Sequence, residues 1–206
     1  MTKFSGTKEL IFDKFIEMTS SLGYENVSMR DIAEKVGIQV ASIYSHFESK
    51  ANILESIYGY YSEHLYDNRI PLDIMKKLME TGSAKEIVDK FSYTFETDDK
   101  KKYVRMILIT KIVYMRLFQD PIANRVFTET NTNNADYIVS LLRYGIEIGR
   151  IDPDFDIEIF ADVLIGAKEV MGIRAFSDPA YVTGQVEHEP RIMALFIRLM
   201  SSSFLR

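Results

Sequence analysis

Apolar residues recur every three or four positions along nearly the whole chain. Leu10, Ile11, Phe15, Met18 and Leu22 fall at helical spacing and Gly23 closes the run, which predicts a first helix of about sixteen residues. Met29, Ile32, Ala33 and Val36 mark a second, much shorter helix that Gly37 ends. Ser28 stands at its N-cap with Asp31 three residues on, a weaker form of the capping box. Ile43 and Phe47 anchor a third short helix. Ser49 is placed to cap a long fourth one through Ile53, Leu54, Ile57, Tyr61 and Leu65.

Beyond Pro71 the pattern becomes a bundle. Ser83 and Glu86 form a full capping box that opens one helix. An almost continuously apolar helix follows from about 99 to about 118, and Pro121, at a first-turn position, opens another to about 149. Two more are expected, from about 156 to about 176 and from about 189 to about 204. The prolines, at 71, 121, 153, 179 and 190, all fall where a helical pattern starts or stops, and no Asn-Gly or Asp-Gly hairpin signal occurs. The chain therefore reads as all-α, with no internal repeat or low-complexity segment. Its natural boundary lies near residue 50, where short helices give way to long ones, dividing a domain 1–50 from a domain 51–206.

Composition narrows the function classes. With 206 residues, 47% of them hydrophobic, the chain can fill a real core. A net charge of −5 argues against wholesale wrapping of nucleic acid or attachment to an anionic membrane, so any polyanion must be met by a local patch. The absence of cysteine excludes disulfides, thiolate metal sites and a cysteine nucleophile, and fits a reducing, cytoplasmic location. The N-terminal MTKFSGTKELIF lacks the apolar core of a signal peptide, and no long charge-free apolar stretch is present.

Two short helices joined by a glycine-containing turn make the helix-turn-helix unit, whose second helix enters the DNA major groove. Gly37 supplies the positive φ such a turn needs. Gln39 to His46 contain no carboxylate and little bulk, as a helix lying between two phosphate rails requires. Glycine-turned helix pairs also occur as plain packing units, and spacing alone leaves both readings open. The residue pattern goes further. Gly23-Tyr24, Val27-Ser28-Met29-Arg30-Asp31-Ile32-Ala33, Val36-Gly37-Ile38, Ser42-Ile43-Tyr44-Ser45-His46-Phe47 and Ser49-Lys50 together resemble the N-terminal signature of the tetracycline-repressor (TetR) family, without insertion, over about the first fifty residues. Beyond them the resemblance is architectural only.

That resemblance implies phosphate contacts for Ser28, Tyr44, His46 and Lys50. It places Arg30, Gln39, Val40, Ala41 and Tyr44 at or near base edges, with Ser42 and Ser45 in the same DNA-binding stretch. Ser28 as a simple cap and Lys50 as a first-turn surface charge are the plainer alternatives. Arg30, Lys35 and Lys50 are balanced by Asp31, Glu34 and Glu48, so the motif is neutral, which predicts modest nonspecific affinity.

In the larger domain Lys111 shares a helical face with Val104, Ile107, Leu108, Met115 and Phe118, while Lys101, Lys102, Arg105 and Arg116 cluster on the other side. A lysine among apolar neighbours needs a partner. Either its stem snorkels toward water or it pairs internally with a carboxylate such as Glu169, or it is the counter-charge of an anionic amphipathic ligand. Arg174 raises the same question beside Phe160, Val163, Ala167 and Met171. Lys111, Tyr114, Met115 and Arg174 are thus the candidate ligand residues. Enzyme chemistry finds no support: His64 and His188 are isolated, no nucleophile elbow, phosphate loop or metalloprotease motif is present, and no metal or cofactor is expected. Gly166, Ala167 and Val170 on one helix, with Ile192, Leu195, Phe196 and Leu199 on the last, match the pair of helices that forms the dimer interface in the family. The resemblance implies a homodimer, and burial of the stripe wholly within one subunit is the plainer alternative.

The reading is a two-domain DNA-binding regulator that binds a palindromic operator, most simply a repressor released by a small amphipathic or apolar effector. Its first rival is a regulator of the same kind controlled by a protein partner. An enzyme using the larger domain is the second.

Overall fold

The computed structural model describes residues 6–66, 69–83, 85–87, 90 and 100–177. Its helices are α1 (Thr7–Leu22), α2 (Met29–Val36), α3 (Val40–Tyr44), α4 (Lys50–His64), α5 (Leu72–Thr81), α6 (Lys100–Arg116), α7 (Pro121–Glu147) and α8 (Ile157–Ser177), with a 3-10 turn at Tyr24–Asn26. No strand occurs among the described residues. The fold is all-α. The expected last helix, with Ile192, Leu195, Phe196 and Leu199, lies outside the described residues.

Local chemistry sets the boundaries. Ser49 accepts from the Asn52 N–H at 3.0 Å and opens α4. Asp120 accepts from the Ile122 N–H at 2.9 Å while Pro121 takes the first helical position of α7, where its missing donor costs nothing. Asp156 accepts from the Ile159 N–H at 3.1 Å and starts α8. The Ser83–Glu86 capping box forms, with the Glu86 N–H donating to Ser83 Oγ at 3.2 Å and the Ser83 N–H to Glu86 Oε2 at 2.7 Å.

Two compact units result. One comprises residues 1–67 and 97–129, the other residues 68–96 and 130–206; these units cut the chain differently from the boundary expected near residue 50. In the first unit Ile11, Phe12 and Phe15 of α1 bury against Ile32, Ile43, Phe47, Ile53 and Ile57, and Ile109, Ile112 and Val113 of α6 complete that core. In the second, Met75 and Met79 of α5 pack with Ile138, Leu141 and Leu142 of α7 and with Leu164 of α8. Gly145 packs closely there: a Cβ would lie 2.5 Å from Ile151 Cδ1 and 2.7 Å from Met79 Cε, so both side chains would have to shift. Arg150 donates to the Met79 and Gly82 carbonyls at 2.6 and 2.8 Å, satisfying the end of α5.

The packing of α6 corrects one expectation. The face bearing Val104, Met115 and Phe118 is exposed, Phe118 to 92%. On the basic side, Arg105 and Arg116 are largely buried while Lys101 stays exposed. Arg105 donates to Asp13 at 2.8 Å and to Glu9 at 2.7 Å, and Lys101 lies 2.9 Å from Glu9 and 3.0 Å from Asp13. Two acids on α1 thus meet two bases on α6, which lets that face pack beside Ile109, Ile112 and Val113. No described helix is long and apolar enough to cross a membrane.

Candidate nucleic-acid interface

α2 begins at a reciprocal pair. The Asp31 N–H donates to Ser28 Oγ at 3.2 Å, and the Ser28 N–H and hydroxyl donate to Asp31 Oδ2 at 2.8 and 2.6 Å. These bonds, the hydroxyl's first, favour the ionised form and hold the Asp31 carboxyl below its usual range. Both donors of Ser28 are therefore engaged, and what the structure gives this residue is the capping role rather than a free phosphate donor.

The turn after α2 depends on Gly37, whose φ of 78° and ψ of 35° lie in the left-handed region. Its N–H and that of Ile38 both donate to the Ala33 carbonyl, at 2.9 and 3.0 Å. The chain can then reverse and start α3 at Gln39, whose carbonyl accepts from the Ser42 N–H at 2.9 Å.

α3 is only five residues long, so its orientation is set by what it buries. Ile43, with Phe47 just beyond the helix, sits in the core of the first unit. The other side of the segment is open: Gln39, Ala41, Ser42, Tyr44 and Ser45 are exposed, and Val40 and His46 are half-buried. Tyr44 keeps 53% of its surface accessible. Ser45 donates its hydroxyl to the Ser42 carbonyl at 2.7 Å, so it can offer a ligand only acceptor capacity. The side chains of Arg30, Gln39, Ser42, Tyr44 and His46 make no hydrogen bond among the described residues, and their donors face outward over an apolar floor.

Lys50 is held against the protein at the start of α4. It is half-buried, donates to the Tyr24 carbonyl at 3.0 Å, and lies 4.1 Å from the centre of the Tyr24 ring.

The candidate effector residues fall in both units. Lys111 is half-buried and makes no hydrogen bond or ion pair with a described residue. Tyr114 packs edge-on to Phe127 at 5.4 Å, Met115 lies on the exposed face of α6, and Arg174 is exposed. The second unit holds other polar groups that periodicity does not reveal. Thr130 and Asn134, one turn apart on α7, are 6% and 4% exposed. The Asn134 amide makes no hydrogen bond among the described residues. On α8, burial pushes the Glu169 carboxyl up to about 7. A further feature of α8 was only half legible. Gly166 and Val170 belong to a longer exposed stripe with Ile159, Val163 and Ile173, spaced four, three, four and three apart. A Cβ added at Gly166 would meet nothing.

Comparison with known proteins agrees with this geometry. Residues 11–57 match the family model described as bacterial regulatory proteins, tetR family. The biofilm operon icaADBC HTH-type negative transcriptional regulator IcaR of Staphylococcus aureus is 32% identical over 99 residues, which are 48% of this chain and 50% of that protein. The chain thus spans about half the length of the curated relatives it matches at this identity. The HTH-type transcriptional repressor KstR2 of Rhodococcus jostii is 24% identical over 75% of this chain and 72% of its own. Among solved structures, a putative transcriptional regulator from Saccharomonospora viridis in complex with choline superposes with a TM-score of 0.67 at 20% identity, over 93% of this chain and 95% of that one. Residues 11–57 thus carry the N-terminal motif of the tetR family of bacterial regulatory proteins, and the all-helical fold of the chain is similar to that of a solved transcriptional regulator.

Proposed function

We propose that this chain is a DNA-binding transcriptional regulator, most simply a repressor, whose α2–α3 unit reads a palindromic operator as a homodimer and whose C-terminal helices bind a small effector that releases it. The observation that carries the DNA reading is the acid-free segment from Gln39 to Phe47. Its apolar side is fixed in the core by Ile43 and Phe47, and its other side presents the unengaged donors of Gln39, Ser42, Tyr44 and His46. Val40 and Ala41 suit thymine methyl groups, Gln39 or Arg30 a base edge, and Tyr44 and His46 phosphates. The acids of the motif, Asp31, Glu34 and Glu48, all lie outside this segment.

The exposed seam Ile159, Val163, Gly166, Val170 and Ile173 supports dimerisation, because its spacing lets two helices interlock and its glycine lets them approach closely. For the effector, Asn134 gives better support than Lys111 or Arg174. Its amide makes no hydrogen bond among the described residues and is not fully enclosed, so the polar group of a mostly apolar ligand can reach and satisfy it. The anionic counter-charge role is weaker, since Arg174 is exposed and the face of α6 that carries Lys111 is largely open. The effector class best supported is a neutral, hydrogen-bonding, largely apolar molecule, which must prefer the state whose two α3 helices misfit successive major grooves.

Selection of binding sites from random DNA tests the reading. An enriched palindrome, with affinity that falls when its thymines become uracil, is expected. Enrichment of no sequence above the starting pool would sink it.

A further inference from the structure

Tyr24 stands where three parts of the first unit meet. The Lys50 ammonium, at the start of α4, lies 4.1 Å from the ring centre and donates to the Tyr24 carbonyl at 3.0 Å. The Arg116 guanidinium, at the end of α6, lies 4.4 Å from the same ring centre. Arg116 is itself held: its Nε lies 3.2 Å from the Tyr58 hydroxyl and 3.3 Å from Asp120 Oδ2, and its Nη1 lies 3.3 Å from Glu25 Oε1. Tyr58 donates to the same Asp120 carboxylate at 2.8 Å. Arg116 is thereby tied to α4, to the α6–α7 corner and to the turn that carries Tyr24.

An ammonium has three donors. One of Lys50's goes to the Tyr24 carbonyl and its charge is drawn to the ring, which leaves donors that can point away from the protein. A lysine fixed in this way has already lost the rotamer freedom that a flexible one loses on binding, so its phosphate contact starts from a preorganised state. We propose that Tyr24 and Arg116 are positioning residues for Lys50: Arg116 fixes the Tyr24 ring, and the ring with its carbonyl sets the Lys50 ammonium where the DNA backbone passes the start of α4. This rests on the DNA-binding reading above. One corollary is that a movement of the end of α6 changes DNA affinity through Arg116, without any contact between α6 and DNA.

The plain alternative is that Arg116 merely stabilises the turn, and a mutant cycle separates the two. Wild type, Lys50→Ala, Arg116→Gln and the double variant are titrated with a long random-sequence duplex across a salt series. Lys50→Ala should lower the salt slope by about one unit per subunit, and Arg116→Gln should lose about threefold to tenfold in affinity. In the Lys50→Ala background Arg116→Gln should cost nothing further. A second readout needs neither DNA nor a tolerated glutamine: the ε-protons of Lys50, shielded by the Tyr24 ring, should move downfield toward free lysine in Arg116→Lys as well. Additive losses in the cycle, or Lys50 ε-protons unmoved in the Arg116 variants, overturn the proposal. If Lys50→Ala binds as wild type does, with the same slope, the positioning role falls while DNA binding stands. Absence of binding by wild type removes the DNA reading and this proposal together.

Discussion

From Ser28 to Lys50 the apolar side chains of Ile32, Ile43 and Phe47 are buried while Arg30, Gln39, Ser42 and Tyr44 are exposed; from Thr130 to Ile173 that order is partly reversed. There Thr130 and Asn134 are inside, and Ile159, Val163, Val170 and Ile173 are outside. An outward row of donors suits a polyanion approached through water. An outward apolar seam suits another protein surface, and an inward amide suits a small molecule. The contrast separates the partners by region, and each side of it can be broken separately.

The largest effect is expected at the seam. Val163→Lys with Val170→Lys would place charges where two helices interlock, at about 3–5 kcal/mol for each charge left unpaired on burial. Sedimentation should show monomers with unchanged helical content. A pair of lysines that leaves the wild-type mass intact would mean that α8 is not the interface.

Asn134→Leu comes next. Its polar atoms are not fully enclosed, so the change should shift stability by only about 1–2 kcal/mol. It should also abolish stabilisation by any effector that wild type binds in a thermal-shift screen. Equal ligand response in both proteins would leave Asn134 as a core oddity.

How far these contrasts could be read from sequence depends on the range of the forces involved. Ser28 with Asp31, Gly37, Ser49, Ser83 with Glu86, and Pro121 act within four residues, so their helix boundaries were legible as written. The family signature likewise named the exposed positions of α3. Periodicity misjudged α6, because counting apolar residues favours the side with Val104, Met115 and Phe118. The side that packs carries Arg105 and Arg116, made compatible with burial by Glu9, Asp13 and Asp120. Glu9 and Asp13 stand more than ninety residues away in the chain, and no helical wheel contains its partner's charges. For the same reason the sequence shows Lys50 only as a phosphate contact or a first-turn charge, since its link to Tyr24 spans 26 residues. The α8 seam, by contrast, was available in its four-three spacing and needed only to be followed beyond Gly166 and Val170.

A smaller effect is expected from Glu169. Its carboxyl is raised by burial from 4.5 to about 7, so the folded state holds a proton there that the unfolded chain has released. Stability should therefore fall as pH rises between those two values and level off above about 7. Partial exposure reduces the expected loss to about 1–2 kcal/mol. Unfolding free energies of wild type and Glu169→Gln compared across that range should diverge with pH, the variant lacking the slope. Parallel curves would show that the carboxyl titrates normally.

The smallest effect belongs to Tyr44, on the outward side of the contrast. Its hydroxyl makes no hydrogen bond among the described residues and its ring keeps half its surface open, so Tyr44→Phe should leave folding unchanged. If the hydroxyl holds a phosphate, DNA binding should weaken by roughly 0.5–1.5 kcal/mol per subunit, the net worth of one neutral hydrogen bond. The salt slope should stay where it is, because no counterion is displaced by a phenol. This distinguishes Tyr44 from Lys50, whose loss is expected to lower the slope. Titration of the selected operator at several salt concentrations measures both quantities at once. Unaltered affinity would assign Tyr44 to van der Waals contact alone, and an altered slope would mean that the substitution had disturbed an ionic contact elsewhere in the motif.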